Sequence, residues 1–210
     1  MASEQNFLKE IEKIKSSDKK VNFDQTVDLI INLKEFDVRR EAFNIFIQVP
    51  NKVKDNKIAG FFEGDSKIID SIKKEQFSKY KEKKDIKKLV KEYDFFVANA
   101  KLMPAVATSF GRVLGPVGKM PSPQLGILMD VNDKTVKELK EKINSSVKIR
   151  TKEASVKMAI GKKDMKDEDL IENIMTVYKT LIKELPRDKE NIKNVEIKFT
   201  MTKPIKIQIR

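Results

Sequence analysis

A glycine- and proline-rich stretch near the middle of the chain has the residue types best suited to binding an anion. Residues 111–121 read Gly-Arg-Val-Leu-Gly-Pro-Val-Gly-Lys-Met-Pro. Glycine permits close backbone approach, proline stiffens a turn, and Arg112 and Lys119 supply positive charge. The surrounding segment 95–129 contains no Asp or Glu, although 36% of the chain is charged. The pattern predicts an irregular loop that suits phosphate, or else a rigid connection between two elements.

Familiar nucleotide-binding motifs do not fit this stretch. A P-loop needs glycine where Val113 stands and Ser or Thr where Met120 stands. No candidate strand is followed by the GxGxxG of a dinucleotide fold. Residues 115–118 match the GXXG loop of KH-type RNA modules. A proline-broken segment, 120–123, follows that loop where a helix should begin, so the context disfavours a KH domain.

A second group of candidate residues is basic and lies later in the chain. Between positions 147 and 163, six cations accompany a single acid, Glu153. Because several alternate with apolar residues, we predict that they share the polar face of one sheet. Small and apolar side chains near the cations are suited to packing on riboses and bases. The cations are Lys148, Arg150, Lys152, Lys157, Lys162 and Lys163, joined later by Lys203, Lys206 and Arg210, and the packing residues are Phe23, Thr200, Met201 and Pro204.

The composition favours a polyanionic partner over catalysis. The 210 residues carry a formal net charge of +12, and 40% are hydrophobic, enough to form a core. The chain lacks Cys and His, which removes thiolate chemistry, the usual general base and the commonest zinc ligand. No apolar run approaches the ~18 residues of a membrane span. We expect a cytoplasmic protein with no cofactor, metal site or membrane contact. A Rossmann-like nucleotide-binding enzyme and a nonspecific polyanion binder are the alternatives.

Two kinds of hydrophobic pattern follow one another along the chain. Near both ends, apolar residues at every second position predict half-buried antiparallel strands at 27–33, 43–49, 147–151, 156–160, 195–201 and 205–209. In the middle, short apolar runs at 58–62, 95–98 and 127–131 predict strands buried on both faces. Helices are predicted around Phe7–Ile14, at 67–73, 85–92, 103–110 and 135–143, and from a cap at Asp164 to Pro186.

The pattern predicts an α/β (α+β) protein built from two domains. Neither end of the chain supplies enough strands for a stable sheet by itself. We therefore predict a split β-α-β domain made from residues 1–52 and 146–210. Residues 53–145 form an inserted Rossmann-like, three-layer α/β domain with a parallel sheet.

Several of these segments resemble ribosomal protein L1, the stalk protein of the large ribosomal subunit, in its archaeal and eukaryotic branch. Residues 111–121 are similar to the central family motif Gly-Arg-x-Leu-Gly-Pro-x-Gly-x-x-Pro, and residues 22–27 resemble its Phe-Asp-Glu-Thr-Val strand. Arg39-Arg40 matches a pair of arginines, Gly161-Lys162 a Gly-Lys, and Thr200-Met201 the start of a closing Thr-Met-Gly. Thr202 stands where that stretch has glycine, and Asn194 replaces the usual serine.

The resemblance implies a noncatalytic RNA-binding protein that is monomeric when free. It implies binding of large-subunit rRNA to form a mobile stalk beside the tRNA exit site, release of deacylated tRNA, and translational repression through the protein's own mRNA. The terminal domain is expected to make the main contact and the central motif a weaker one. Including basic positions named above, the predicted RNA-binding residues are Phe23, Thr26, Arg40, Lys152, Lys157, Lys162, Asn194, Thr200, Met201, Thr202, Lys203 and Pro204. The secondary loop comprises Arg112, Gly115, Pro116, Gly118, Lys119 and Pro121.

Overall fold

The computed structural model describes residues 2–17, 21–64, 66, 68–80 and 82–207. It divides into a terminal unit, Met1–Lys54 with Ser145–Arg210, and a central unit, Asp55–Asn144. In chain order the elements are α1 (Ala2–Ser17), β1 (Thr26–Leu33), β2 (Asn44–Gln48), β3 (Ile58–Phe61), β4 (Asp70–Ser71), a 3-10 helix (Lys74–Tyr80), α2 (Lys83–Glu92), β5 (Phe95–Asn99), a 3-10 turn (Ala100–Leu102), α3 (Met103–Val117), β6 (Ile127–Leu128), α4 (Asp133–Asn144), β7 (Ser146–Arg150), β8 (Ser155–Lys162), α5 (Asp167–Glu184), a 3-10 turn (Asp188–Asn191), β9 (Ile192–Phe199) and β10 (Ile205–Ile207).

The terminal unit contains a four-stranded antiparallel sheet in the order β10-β9-β1-β8. β8, α5 and β9 follow one another in the chain, and β1 lies between the two strands. Both β8 and β9 run antiparallel to β1, so they are parallel to each other. This is the split β-α-β arrangement, with strands contributed by both ends of the chain.

The core of the terminal unit lies on one face of this sheet. β1 alternates strictly between half-buried and buried residues, as its period-two pattern predicts. Its buried side chains pack in one cluster with Phe7, Ile11 and Ile14 of α1, all fully buried, and with the apolar stripe of α5. Burial of each such side chain contributes about 1.5–3 kcal/mol. The helices thus cover the inner face, and the polar positions of the strands lie on the outer face.

A separate two-stranded ribbon is formed by β2 and β7. Asn44 lies opposite Arg150, and Gln48 opposite Ser146. The Lys148 ammonium lies 4.9 Å from the centroid of the Phe46 ring. The prediction that Lys148 and Arg150 share a sheet with Lys157 and Lys162 is therefore wrong, because a break in pairing around residues 151–154 places them on different sheets.

The central unit is a three-layer α/β sandwich. Its parallel sheet has the order β4-β3-β5-β6. On one side, Phe61 and Phe96 pack with α2, α3 and the 3-10 helix Lys74–Tyr80. On the other side, Phe62 and Val97 pack with α4. Since both faces of the sheet are covered, β3 is buried throughout.

Three local predictions are wrong. Residues 68–73 contain the short edge strand β4 in place of a helix, and Lys67 lies outside the described residues. α3 continues to Val117, seven residues beyond the predicted end at Phe110. α5 begins after Lys166 with no side-chain cap, so Asp164 does not cap it. Acidic residues in the first turn of α5 favour the positive end of the helix dipole instead. Ile209 and Arg210 lie outside the described residues.

The ribbon geometry predicts that the terminal unit folds without the central unit. β2 and β7 are antiparallel partners, and the Val49 N–H donates to the Ser145 carbonyl (2.8 Å). Deleting residues 55–144 and joining Lys54 to Ser145 therefore closes a hairpin with a short loop, a favoured connection length. We expect cooperative thermal unfolding of the shortened chain, as for a single folded domain. An unfolded product at 25 °C, measured by circular dichroism, would contradict this prediction.

Candidate nucleic-acid interface

Three segments of the chain meet at one end of the terminal sheet. Thr26, the first residue of β1, lies opposite Lys162 of β8, and Val27 lies opposite Phe199 of β9. The segments before β1 and after β8 and β9 are therefore neighbours. We call residues 22–26, 161–163 and 200–204 together the tip. It unites eight of the twelve predicted RNA-binding residues of the terminal domain: Phe23, Thr26, Lys162, Thr200, Met201, Thr202, Lys203 and Pro204.

Hydrogen bonds fix the turn that follows β9. The Thr202 hydroxyl accepts from the Phe199 N–H (2.8 Å), and the Thr202 N–H donates to the Phe199 carbonyl (3.1 Å). The Thr200 hydroxyl accepts from the Thr26 N–H (3.1 Å) and so connects this turn to β1. Met201 consequently lies in a turn and not in β9, where the alternation pattern placed it.

The buried residue Gln25 connects the segments of the tip through hydrogen bonds. Its side chain is fully buried, and its Oε1 accepts from the Met201 N–H (3.0 Å). Its backbone carbonyl accepts from the Lys163 N–H (2.9 Å). One residue therefore ties together all three segments of the tip. Sequence inspection missed Gln25, because a glutamine next to a strand gives no sign of burial.

The tip exposes two large apolar side chains. Phe23 is 52% and Met201 67% exposed, and they are two of only four large hydrophobic residues so exposed in the described part of the chain. Phe23 is followed by Asp24, whose carbonyl accepts from Lys162, and the Met201 N–H donates to Gln25. Their exposure therefore does not come from a loose terminus. Exposed apolar groups beside cations are suited to packing on sugars and bases.

The cations of the tip are at least partly accessible to solvent. The Lys162 ammonium contacts both the Asp24 carboxylate (3.2 Å) and the Asp24 carbonyl (3.2 Å). Such exposed pairs contribute little stability, about 0–1 kcal/mol, so a phosphate competes readily for the lysine. Lys203 is exposed, and the Lys163 ammonium lies 6.0 Å from the centroid of the Phe199 ring.

The outer face of the sheet contains an open pocket of about 490 Å³ next to the tip. Lys157 and Pro204, both predicted, line it together with Asp28 and Lys198, which were not predicted. Burial raises the pKa of the Asp28 carboxyl above its usual range, and the nearby Lys198 charge opposes that shift. The alternation of β1 and β9 placed both residues on the polar face, and this signal was available in the sequence.

Three predicted residues lie away from the tip. Asn194 is six residues from Thr200 along β9, about 20 Å at the usual rise of a strand. There it joins a hydrogen-bonded row across the outer face, accepting from Asn32 (2.7 Å) and donating to Glu196 (3.1 Å). Arg40 lies in a turn beside Asp37 (3.7 Å), and Lys152 is exposed in the bend between β7 and β8.

The central glycine-rich stretch is largely helical, contrary to the prediction of an irregular loop. Residues 111–117 form the end of α3, and Pro116 is accommodated in its last turn. Gly118 has the positive φ of a left-handed C-cap, 78°, and its N–H bonds to the Leu114 and Gly115 carbonyls. The helix therefore continues past Gly111, the first glycine of the stretch, and ends at the glycine cap Gly118.

Lys119 has a structural role that its charge did not reveal. Its ammonium donates to the Val90 and Tyr93 carbonyls, each at 2.7 Å, at the C-terminal end of α2. A lysine favours this negative end of a helix dipole. Pro121 is buried, whereas Arg112, Gly115 and Pro116 are exposed. Arg112 is therefore the cation of this stretch that remains on the surface to meet an anion.

The central unit offers poor geometry for an enzyme. A pocket of about 340 Å³ lies at the amino ends of its strands, beside Ile58, Asp70 and Tyr93. Ligands of parallel α/β sheets bind at the opposite, carboxyl ends. Burial and a hydrogen bond to Asp70 raise the pKa of Tyr93 to about 12, which makes its phenol a poorer acid than an ordinary tyrosine. Within the described ranges, no cluster of acids suits a metal ion, and no helix is long and apolar enough to cross a membrane.

Comparison with known proteins decides the family. Residues 9–203 match the model of the Ribosomal protein L1p/L10e family. The chain belongs to this family. It is 35% identical over 199 residues to the large ribosomal subunit protein uL1 of Nanoarchaeum equitans, covering 90% of this chain and 93% of that one. It is 34% identical to uL1 of Methanothermococcus thermolithotrophicus (97% and 98% covered) and 30% identical to uL1 of Cenarchaeum symbiosum (98% and 97% covered).

Family membership confirms two expectations from the sequence. The mixed α/β architecture of parallel and antiparallel sheets is consistent with the L1 fold. Membership in a family of ribosomal proteins also confirms that the chain is not an enzyme. The Rossmann-like enzyme considered as an alternative is therefore excluded, although the central unit does contain a parallel sheet with helices on both faces.

Proposed function

We propose that the chain is a structural component of the large ribosomal subunit that binds large-subunit rRNA through the tip. The main support is the tip itself, where Phe23 and Met201 are exposed beside Lys162 and Lys203 on backbone held by buried Gln25. The names of the relatives and the coverage of nearly the whole chain agree with this role.

Binding separates into two physical contributions. Lys162, Lys203 and Lys157 neutralise phosphates, which gives affinity that falls with rising salt. Phe23 and Met201 pack against sugars and bases whose arrangement is fixed by the RNA fold, which gives specificity. The turn after β9 is held by hydrogen bonds before RNA arrives, so little ordering entropy is lost on binding.

Thr202 is compatible with this contact despite replacing the family glycine. Its hydroxyl accepts from the Phe199 N–H and its own N–H donates to the Phe199 carbonyl, so its polar groups are directed into the turn. The side chain is half-buried, whereas the adjacent Met201 is exposed. Met201 therefore presents the larger surface to RNA at this turn.

The central unit adds a weaker RNA contact through the end of α3. Arg112, Gly115 and Pro116 are exposed there, and a Cβ added to Gly115 would meet nothing within 4 Å apart from its chain neighbours and the backbone of its own helix. RNA backbone can approach such a surface closely. Lys119 contributes indirectly. Its ammonium donates to two carbonyls at the C-terminal end of α2 and so holds that helix beside this surface.

In the cytoplasmic ribosome, this protein and its rRNA form the mobile stalk beside the tRNA exit site and assist release of deacylated tRNA. The free protein is a monomer. Because the tip reads the shape of folded RNA, a similar structure in the protein's own mRNA competes for the same surface. Binding there represses translation of that message when free protein accumulates.

Cosedimentation tests this proposal directly. We expect the affinity-tagged chain, expressed in its own cells, to migrate with large subunits in a sucrose gradient, and large-subunit rRNA to dominate the RNA recovered with it. Purified protein should prefer that rRNA over an unrelated duplex at ~0.2 M salt, where purely electrostatic affinity fades. Equal competition by both RNAs would favour a nonspecific polyanion binder instead.

A further inference from the structure

The pocket on the outer face of the terminal sheet has the composition of a nucleotide site. Its volume of about 490 Å³ lies within the range typical of small-ligand sites. Ile30 of β1 and Ala159 of β8 supply apolar surface, and Pro204 lies at its edge towards the tip. Lys157 and Lys198 line it as well. Apolar surface between two cations suits a base with its flanking phosphates.

Asp28 is the one carboxylate lining this pocket. It lies directly opposite Ala159 on β8 and opposite Lys198 on β9, in the middle of the sheet. Within the described part of the chain, no hydrogen bond or close ion pair engages its carboxylate. Burial raises its pKa, because loss of hydration disfavours the ionised form, and the nearby Lys198 charge offsets this only in part. A partly buried carboxylate is costly unless it is paired or hydrogen bonded, and a ligand that donates to it would lower that cost.

We propose that this pocket binds an unpaired guanine of the RNA. The Asp28 carboxylate accepts hydrogen bonds from the guanine N1–H and exocyclic N2–H. The base packs on Ile30, Ala159 and Pro204, and Lys157 and Lys198 contact the adjoining phosphates. This inference rests on the proposed function as an RNA-binding protein and specifies what one part of its surface recognises.

Hydrogen-bond chemistry selects guanine among the four bases. An ionised carboxylate has two acceptor oxygens and no donor. Guanine presents two adjacent N–H donors on its Watson–Crick edge, which match these two oxygens. Adenine and cytosine present one amine beside an acceptor nitrogen, and uracil presents one N–H between two carbonyls. Each of these three would place a lone pair against a carboxylate oxygen.

Short RNAs with one variable base test the pocket. The probes are fluorescein-labelled nonamers of uridine with a single central guanosine, inosine, adenosine or uridine, titrated at ~0.1 M salt and followed by anisotropy. We expect the guanosine probe to bind about tenfold more tightly than the adenosine and uridine probes, as for a bidentate base contact. Inosine lacks the N2 amine and should lie between them. Equal dissociation constants for all four probes would overturn the proposal.

A matched pair of substitutions assigns the preference to Asp28. Asp28→Asn and Glu196→Gln each remove one negative charge from the same outer face, so they change nonspecific attraction to RNA equally. Glu196 accepts from Asn194 and does not line the pocket. We expect Asp28→Asn to abolish the guanosine preference and Glu196→Gln to retain it, with both variants folded by circular dichroism. A preference that persists in Asp28→Asn would contradict the proposal.

The test of the pocket and the test of the ribosomal role can succeed or fail independently. Should the wild-type chain bind structured rRNA specifically but show no base preference, the pocket assignment alone fails. Should the guanosine preference depend on Asp28 while the chain does not associate with large subunits, the pocket assignment stands and the ribosomal role fails.

Discussion

Replacing Met201 with Asp should lower the affinity for large-subunit rRNA by about 100-fold or more, because like charges juxtaposed in an interface cost several kcal/mol. Met201 is 67% exposed at the centre of the tip, between Thr200 and Thr202, whose side chains fix the turn. The new carboxylate would face phosphates and lose the apolar packing of the thioether. Filter binding or calorimetry at ~0.15 M salt measures the change.

Two variants make this result interpretable. Met129→Asp places the same charge at another exposed methionine, in the central unit and outside the predicted contacts, and should change affinity less than about threefold, as expected of a screened surface charge. Met201→Leu retains the apolar volume and should bind nearly as well as wild type. An unchanged dissociation constant in folded Met201→Asp would exclude the tip as the main contact.

Elements with a single clear period were predictable from the sequence. Val27, Leu29, Ile31 and Leu33 alternate without interruption, and all four are buried on one face of β1. The apolar runs of β3 and β5 were predictable because a sheet covered on both faces needs apolar residues at every position. In each case one physical requirement, burial of one face or of both, determines the pattern.

The failures occurred where tertiary contacts override local preference. Glycines and prolines in residues 111–117 argue against a helix, but Phe110 and Leu114 are fully buried and anchor that face of α3 in the core. Apolar residues at 68–73 suggested a helix, yet β4 pairs in parallel with β3 as a short edge strand. Long-range packing of this kind leaves little trace in local composition.

The candidate site was predictable by residue type more than by position. Charge and its alternation with apolar residues pointed to Lys157 and Lys162, and both residue type and the family resemblance pointed to Thr200 and Met201. Strand register determines which of these residues meet, and register depends on pairs far apart in the chain, such as Thr26 with Lys162. Inspection therefore could not place Arg40, Lys152 and Asn194 away from the tip. It also missed Gln25, Asp28 and Lys198, whose burial or position beside the pocket depends on neighbours on other strands.

Gln25 should determine RNA affinity without touching RNA. Its Oε1 fixes the Met201 N–H, and its carbonyl fixes the Lys163 N–H. Gln25→Ala would remove the acceptor of the Met201 N–H and let the turn adopt other conformations, at a cost of about 1–3 kcal/mol in the free energy of unfolding. We expect affinity for structured rRNA to fall about tenfold or more, since part of the binding energy is then spent on ordering the turn.

Asn191 provides the control that separates positioning from general destabilisation. It is also a buried amide, 1% exposed, but it lies at the opposite end of β9, where it accepts from the Arg187 N–H (2.8 Å) and donates to the Lys34 carbonyl (3.1 Å). Asn191→Ala should lower the free energy of unfolding by a similar amount, about 1–3 kcal/mol, and leave RNA affinity unchanged. Chemical denaturation and RNA titration of both variants measure the two quantities. Equal losses of affinity in the two variants would show that the tip depends on overall stability and not on the hydrogen bond of the Gln25 side chain.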